Sequence, residues 1–435
     1  MTNNSSHYIR SSKHSFNQGN QGKQEDLAEF ILEYRRIAKI YLDYIWDHEH
    51  EFSQKDKTYH FDNKINLQLP LFLSTVELNK TLNIETWLSA RALKCCITQV
   101  LSVVRGVVKK QSKRQYIINK MRAESRKVPK RLRKRARQRP SKPEVEKINP
   151  ELNSVCADLE EFPESTFDAF LQIRSYDTRT RGKVIRVPVK FTKVSNKWKK
   201  QGEILSSFHV CENHVEIRYK ITQKNKKKVS KSSTVGADQG VKTVLTLGDK
   251  QATPDSDKHG HSLDSIMKKM CSKKKGSKGM SKAQNHRTNF INWAINQLNF
   301  NILSKLIYED VRHIRYKKKL GRYLSHWPHK QIKYKTQCKC EEEEVLLTSQ
   351  SSTYMSQRCS SCGLVLKANR RGKRFSCKNC DYAADSDFNA AVNHQHDLPR
   401  VTVALRKARF NLKGFFWNTF GFFDRSGEEI TVSLC

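Results

Sequence analysis

Apolar residues near the N-terminus recur at helical spacing. From Gln24 to about His50, Leu27, Phe30, Ile31, Tyr34, Ile37, Tyr41 and Ile45 fall three or four residues apart, the spacing that lines one face of an α-helix. A second helical stretch runs from Ile84 to Ala123, where SARALKCCITQVLSVVRGVV carries a wide apolar stripe before Lys and Arg take over. Between about Phe162 and Ile221 the period shortens to alternation. FDAFLQIRSYD, KVIRVPVKFTKV and SSFHVCENHVEIRYKI read as antiparallel strands, hence a small barrel or sandwich. The run KITQKNKKKVSKSSTV is a charged boundary. VGADQGVKTVLTLGD then reads as a buried strand, a Gly turn and a second strand. Helix returns from Asp264 to about Lys305 and ends in the short strand LIYEDV; a basic, aromatic loop over 312–335, including Trp327, leads to the strand EVLLTSQS. No repeat of fixed period is present.

A chain of 435 residues exceeds what one core normally organises, so about two to four domains are expected. Lys and Arg number 82 against 43 Asp and Glu, a net charge of +39. Such an excess points to a polyanionic partner, nucleic acid above all, because neutralised phosphates release counterions. A merely solvated basic surface is the alternative. The sequence contains no apolar run of about 18 residues, and its first thirty residues hold no apolar stretch suited to a leader. A soluble, intracellular protein is the expectation.

The charge is not spread evenly. In SRKVPKRLRKRARQRPSK, Arg131, Arg133, Lys134, Arg135, Arg137 and Arg139 crowd together without a carboxylate, bracketed by Pro129 and Pro140. Such a block either contacts phosphate or forms a linker or localisation signal. Of the twelve cysteines, Cys359, Cys362, Cys377 and Cys380 stand as C-x2-C-x14-C-x2-C, the spacing of a closed, tetrahedral zinc ribbon with one structural Zn2+. Lys367, Arg370, Arg371, Lys373 and Arg374 lie between the pairs, placed either to touch phosphate or to form a solvated loop tip. Cys338 and Cys340 lack a second pair at ligand spacing and read as ordinary thiols.

Three carboxylates remain at strand ends or a helix start. Asp238 lies within an apolar strand between Gly236 and Gly240, Glu309 closes LIYE, and Asp387 opens the helix DFNAAVNH; Asp310 and Asp385 compete with the last two. An aspartate inside an apolar strand is costly to bury without a compensating cation or proton. A cluster of three such groups suits Mg2+, and two Mg2+ ions about 4 Å apart activate water and stabilise the leaving oxygen of a phosphodiester. That is nuclease chemistry.

Taken together, VGADQGVKTVLTL, LIYEDV and CSSCG…CKNCDYAADSDFNAA resemble the split RuvC nuclease domain of the TnpB family of transposon-encoded RNA-guided nucleases and the related compact type V CRISPR effectors. The resemblance covers roughly residues 231–395. A looser similarity upstream likens KQEDLAEFILEYRRIAKIYLDYIW and LSARALKCCITQVLSVVRGVV to the helical recognition lobe, and the strand-rich 160–222 region to the wedge barrel. It implies an α/β RNase H-like (RuvC) core with an inserted four-cysteine zinc ribbon, a helical lobe and a β-barrel wedge. The implied domains are an N-terminal wedge or disordered segment (1–25), helical lobe (26–145), wedge (146–230), first two RuvC motifs (231–355), ribbon (356–383), third motif (384–400) and tail (401–435).

In that family the acids of the three motifs are catalytic, which falls here on Asp238, Glu309 and Asp387. The implied activity is guide-directed, Mg2+-dependent cleavage of DNA, with guide RNA and target DNA as partners. Sequence would then be read mainly by base pairing. Two other readings stand: a guide-bound repressor that does not cut, and a guide-independent DDE-type transposase or resolvase. Oligomeric state stays open between monomer and homodimer. Localisation would be cytoplasmic and nucleoid-associated in a prokaryote, nuclear in a eukaryote or virus. The tail VALRKARFNLKGFFWNTFGFFDRSGEEITVSLC is unusually aromatic for this family.

Overall fold

The computed structural model describes residues 7–16, 19–47, 75–124, 127–162, 164–174, 184–223, 233–311 and 321–430. Part of the charged boundary, 224–232, and part of the basic loop, 312–320, lie outside these residues, as do positions 48–50 at the end of the first expected helix. The chain forms two compact units, Met1–Thr222 and Gln223–Cys435.

In the first unit the two helical stripes form helices α1 (Gln21–Asp47) and α2 (Ala90–Ala123). Each residue of the first stripe, Leu27 through Ile45, is buried. Ser89 caps α2 by accepting from the Ala92 N–H at 3.2 Å, satisfying one of the donors that a helix start leaves unpaired. The strands are β1 (His7–Ser15), β2 (Glu151–Asn153), β3 (Ala157–Glu161), β4 (Ala169–Ile173), β5 (Ile185–Val189), β6 (Gly202–Val210) and β7 (His214–Thr222). They make two sheets, β1-β7-β6-β2 and β3-β4-β5.

The expected barrel is therefore not closed among the described residues. The reason lies in what covers the sheets: Phe30, Ile31, Tyr34 and Val100 of the helices share one continuous core with Leu171, Val187, Ile217 and Tyr219 of the strands. Helices bury the apolar faces, so neither sheet has to curl onto itself. KFTKV leaves the strand pattern and starts a short helix over Lys193–Gln201, set by the Thr192–Ser195 capping box.

The basic block forms helix α3 (Lys130–Arg137), none of whose residues is buried. It is held to α2 through Gln111, whose amide donates to the carbonyls of Arg135, Ala136 and Gln138 at 3.3, 2.8 and 3.3 Å. The block is thus a short helix anchored at one end of its run by a single buried side chain.

The second unit is built on a four-stranded sheet in the order β11-β10-β8-β9, with β8 (Thr234–Gln239), β9 (Leu245–Leu247), β10 (Lys305–Asp310) and β11 (Leu346–Ser351). β9 turns back antiparallel on β8, while β10 and β11 run parallel to it. Helices α4 (Leu263–Cys271) and α5 (Lys278–Asn296) fill the crossover between β9 and β10. A third helix, α6 (His329–Glu342), begins inside the stretch read as loop and takes its end, positions 329–335. Its buried stripe is His329, Ile332, Thr336 and Cys340, correctly spaced for a helix but with Ile332 its one aliphatic member. Cys338 and Cys340 are buried thiols on this helix. No helix among the described residues is long and apolar enough to cross a membrane.

The four-cysteine segment carries the strands β12 (Leu364–Val365), β13 (Arg370–Arg371), β14 (Arg374–Ser376) and β15 (Ala383–Asp385), and leads directly into helix α7 (Ser386–Asn393). The aromatic tail supplies β16 (Phe415–Trp417), which pairs with β12, and β17 (Phe422–Phe423). Phe415 and Trp417 are buried with Met355, Val365, Leu398, Val401 and Leu405. Phe415 and Trp417 of the tail thus help build a small core beside the cysteines, while Phe416 packs on the cysteine cluster itself and Phe420 is exposed.

Candidate active site and metal centres

The sheet register brings the first two carboxylates together. Tyr308 of β10 stands beside Ala237 of β8, so the next residues along, Glu309 and Asp238, emerge side by side on one face at the strands' C-terminal ends. Asp310 falls on the opposite face by the same alternation. Helix α7 covers the Asp238 face, and Gly236 is what lets it approach. A Cβ at Gly236 would stand 2.0 Å from the Ala391 carbonyl oxygen and 2.7 Å from the His394 Cβ. Ala390 and Ala391 supply the matching small surface on the helix.

This packing delivers Asp387, only 8% exposed, to the same place. Gly240, at the turn after β8, lies with its ideal Cβ position 3.5 Å from the Asp387 Oδ2. The Trp327 Nε1–H fixes that turn by donating to the Gly240 carbonyl at 3.2 Å. Asp385 has another task. It is the N-cap of α7 and accepts from the N–H groups of Asp387 and Phe388 at 2.8 and 3.3 Å.

The three acids sense one another. Burial, followed by the negative charges of Glu309 and Asp387, pushes the Asp238 carboxyl well above its ordinary range. Burial likewise pushes Glu309 up to about 7, against the Gln239 N–H and the Asp238 carboxyl, which hydrogen-bond to it. Like charges in a recess cannot all ionise without a compensating cation. Part of that compensation comes from the cysteine segment: Lys373 Nζ donates to Asp387 Oδ2 at 2.6 Å, and an Arg370 nitrogen lies 3.9 Å from Oδ1. Burial opposes the Lys373 charge, but the Asp387 carboxylate outweighs it and raises the ammonium. Lys373 therefore sits on an active carboxylate candidate and not at a free loop tip.

The donor set of this recess is all carboxylate oxygen, which fits a hard divalent cation. The acids are not drawn as tightly together as the cysteines. Cys359, Cys362, Cys377 and Cys380 bring their four sulfurs within 4.8 Å of one another. The Sγ–Sγ separations are 3.7 Å for Cys359–Cys380 and 3.6 Å for Cys362–Cys377. A tetrahedron with metal–sulfur bonds of about 2.3 Å has edges of about 3.8 Å, so the thiols suit a four-coordinate metal. Gly363 turns the first knuckle at φ +81°. Buried Asn369 ties the knuckles together, donating to the Leu364 carbonyl at 3.2 Å and accepting from the Lys378 N–H at 3.0 Å.

Two asparagines on α7 join this thiol cluster to the carboxylates. Asn389 donates to the Arg358 carbonyl at 2.8 Å and accepts from the Ser360 N–H at 3.1 Å. Asn393 donates to the carbonyls of Met355 and Arg358 at 2.8 and 2.7 Å, and receives the buried Arg358 guanidinium at 2.5 Å. The backbone that opens the first cysteine pair is thus clamped to the helix that carries Asp387.

Of the six cations in the basic block, Arg131, Arg133, Lys134, Arg135 and Arg137 are exposed on α3 or in its turns. Arg139 is committed elsewhere: it donates to the Trp46 carbonyl at 2.6 Å and stacks over the Trp46 ring at 5.2 Å. A third cluster, Asp257, His261 and His286, was not visible as a motif, because its members come from a loop and a helix separated in the chain.

The family model described as Cas12f1-like, TNB domain matches residues 329–394, which span α6, the cysteines and Asp387. The CRISPR-associated endodeoxyribonuclease Cas12f1 of Sulfoacidibacillus thermotolerans is 38% identical over 87 residues, 20% of each chain. The protein of the same description from Syntrophomonas palmitatica is 34% identical over 65 residues, 15% of this chain and 13% of the relative. The likeness at family level is to the Cas12f1 group of type V CRISPR effectors. The matched stretches span no more than a fifth of those relatives' own lengths. Among solved structures, CasPhi-2 (Cas12j) bound to crRNA aligns with a TM-score of 0.49 and 8% identity over 91% of this chain and 99% of that one. The Cas12f1–sgRNA–target DNA complex aligns with a TM-score of 0.46 and 13% identity over 90% and 99%.

Sequence reasoning missed the Lys373 contact, the Asn389 and Asn393 clamp and the role of Gly236. DFNAAVNH does contain the signal for the clamp: two asparagines four residues apart fall on one helix face, next to alanines that demand a close neighbour.

Proposed function

We propose that this chain is an RNA-guided DNA endonuclease with an RNase H-like (RuvC) core, whose acids are Asp238, Glu309 and Asp387. The observation that carries the reading is their convergence, two at adjacent parallel strand ends and one on a helix clamped to a four-thiol cluster. Asp238, Glu309 and Asp387 would hold Mg2+. Mg2+ there would polarise the scissile phosphate and lower the pKa of attacking water. The chain's own residues orient the site: Gly236 seats the helix, Asp385 caps it, Trp327 fixes the Gly240 turn, and Lys373 with Arg370 balances Asp387.

Cys359, Cys362, Cys377 and Cys380 would hold one structural Zn2+, since a closed thiolate set leaves no position for substrate. The sheets of the first unit correspond in this reading to the wedge, and α1 and α2 to the recognition helices. Net charge of +39 and the exposed cations of α3 serve guide and target phosphates.

The test begins with sequencing RNA that co-purifies with the full chain. The reconstituted complex is then given Mg2+ and a plasmid pool bearing the matching target beside randomised flanks. Cutting confined to matched targets, absent without RNA, is the expected result. Cutting without RNA would favour the guide-independent reading, and intact DNA across the pool with bound RNA would favour the repressor.

A further inference from the structure

We propose that Asp257, His261 and His286 form a second transition-metal site, which pins the loop after β9 to helix α5. Each residue offers one ligand atom, and the three atoms lie within 4.8 Å of one another. The loop is already shaped for this. Asp257 Oδ1 accepts from the N–H groups of His259 and His261, both at 2.9 Å, which fixes the carboxylate. Its other oxygen is left facing His261 Nδ1 at 3.1 Å. The backbone closes on itself through Asp257 N–H to the His261 carbonyl at 2.9 Å, with Gly260 at φ +74° making the turn.

An Asp–His hydrogen bond alone would account for Asp257 and His261 but not for the second imidazole. The His286 ring comes from α5 and stands perpendicular to that of His261, with centroids 4.7 Å apart. Two protonated imidazoles so placed repel, whereas two neutral ones each hold a nitrogen lone pair for a metal.

Two imidazole nitrogens and one carboxylate oxygen select Zn2+, Co2+ or Ni2+ over Mg2+. Three protein ligands leave a position for water, so this centre is more open than the cysteine one. Its place gives it a consequence. Asp255, on the same loop, accepts from Thr243 Oγ1 at 2.7 Å, and that oxygen also accepts from Lys373 Nζ at 3.3 Å. Pinning the loop steadies the residue that shares Lys373 with Asp387.

The full chain, purified with its cysteine metal in place and dialysed without chelator, is titrated with Co2+ and followed by equilibrium dialysis and absorption. One further ion per chain should bind, with weak d–d bands and no new thiolate charge-transfer band. His286→Ala and the conservative His286→Gln should each weaken it roughly tenfold or more, while His209→Ala in the first unit leaves it unchanged. Both His286 variants change a half-exposed side chain, and retained thermal melting checks that they fold. No ion beyond the cysteine metal, or equal binding in wild type and both His286 variants, would overturn the proposal.

Discussion

Replacing Gly236 by alanine should cripple cleavage from beneath the helix that carries Asp387. The new Cβ would stand 2.0 Å from the Ala391 carbonyl oxygen, 2.7 Å from the His394 Cβ and 3.0 Å from the Gln395 nitrogen. Two of these are backbone atoms, so no side chain can rotate away. Opening the closest contact to about 3 Å requires α7 to retreat by about 1 Å, and a misplacement of that size costs on the order of 100-fold in rate. Overpacking adds a stability loss of about 1–3 kcal/mol.

The assay compares cleavage of a matched target with binding of the same target, alongside thermal melting. Cleavage should fall about 100-fold while binding, which rests on pairing and phosphate contacts, changes little. Gly106→Ala is the control: it lies in α2 with nothing within 4 Å of its Cβ position, and should add about 1 kcal/mol of stability through helix propensity. Wild-type cleavage by Gly236→Ala would refute the argument that this contact positions Asp387.

Asp387→Ala should abolish cleavage and spare target binding, whereas Asp385→Ala should lose only its cap, about 1 kcal/mol, and keep cutting; the reverse outcome in a cleavage assay would exchange their roles. In metal-free protein, Glu309 is raised from its ordinary value to about 7, so the unfolded chain binds fewer protons between those values and stability should fall as pH rises through that window, by a few kcal/mol at most. Added Mg2+ should reverse the trend, and a flat melting profile with and without Mg2+ would count against the acids as its ligands. Cys377→Ser should lower cleavage more than RNA binding, because the Asn389 and Asn393 clamp loses its anchored partner; a metal-depleted complex that cuts at the normal rate would sink this. Neutralising Arg131, Arg133, Lys134 and Arg137 should flatten the slope of log affinity against log salt by a few units, at about 0.7–0.9 per lost phosphate contact, and an unchanged slope in a salt titration would remove α3 from the nucleic-acid surface.

Local chemistry was legible along the chain wherever it is written locally. The stripe from Leu27 to Ile45 determines a helix because its 3.6-residue period admits one buried face. Paired CxxC spacing determines a thiol cluster because each knuckle is a local turn, completed at Gly363. The acids were legible as residues out of place, above all Asp238 in an apolar strand. Helix α6 was less so, since its buried stripe runs through His329, Thr336 and Cys340.

What only the tertiary structure decided depends on register and on approach between distant segments. Glu309 is separated from Asp310 by which face of β10 meets Asp238, and that is fixed by the pairing of Tyr308 with Ala237. Asp385 and Asp387 differ by two positions in the chain, yet one closes a helix start and the other is buried. Lys373 looked like any exposed cation until the hairpin of β13 and β14 laid it on Asp387. The sheets of the first unit stay open because α1 and α2 cover them, and alternation within each strand is the same whether a face meets helices or another sheet. Asp257, His261 and His286 share no motif at all, because a loop and a helix meet there only through packing. Periodicity records which residues turn inward; it carries no record of what they meet.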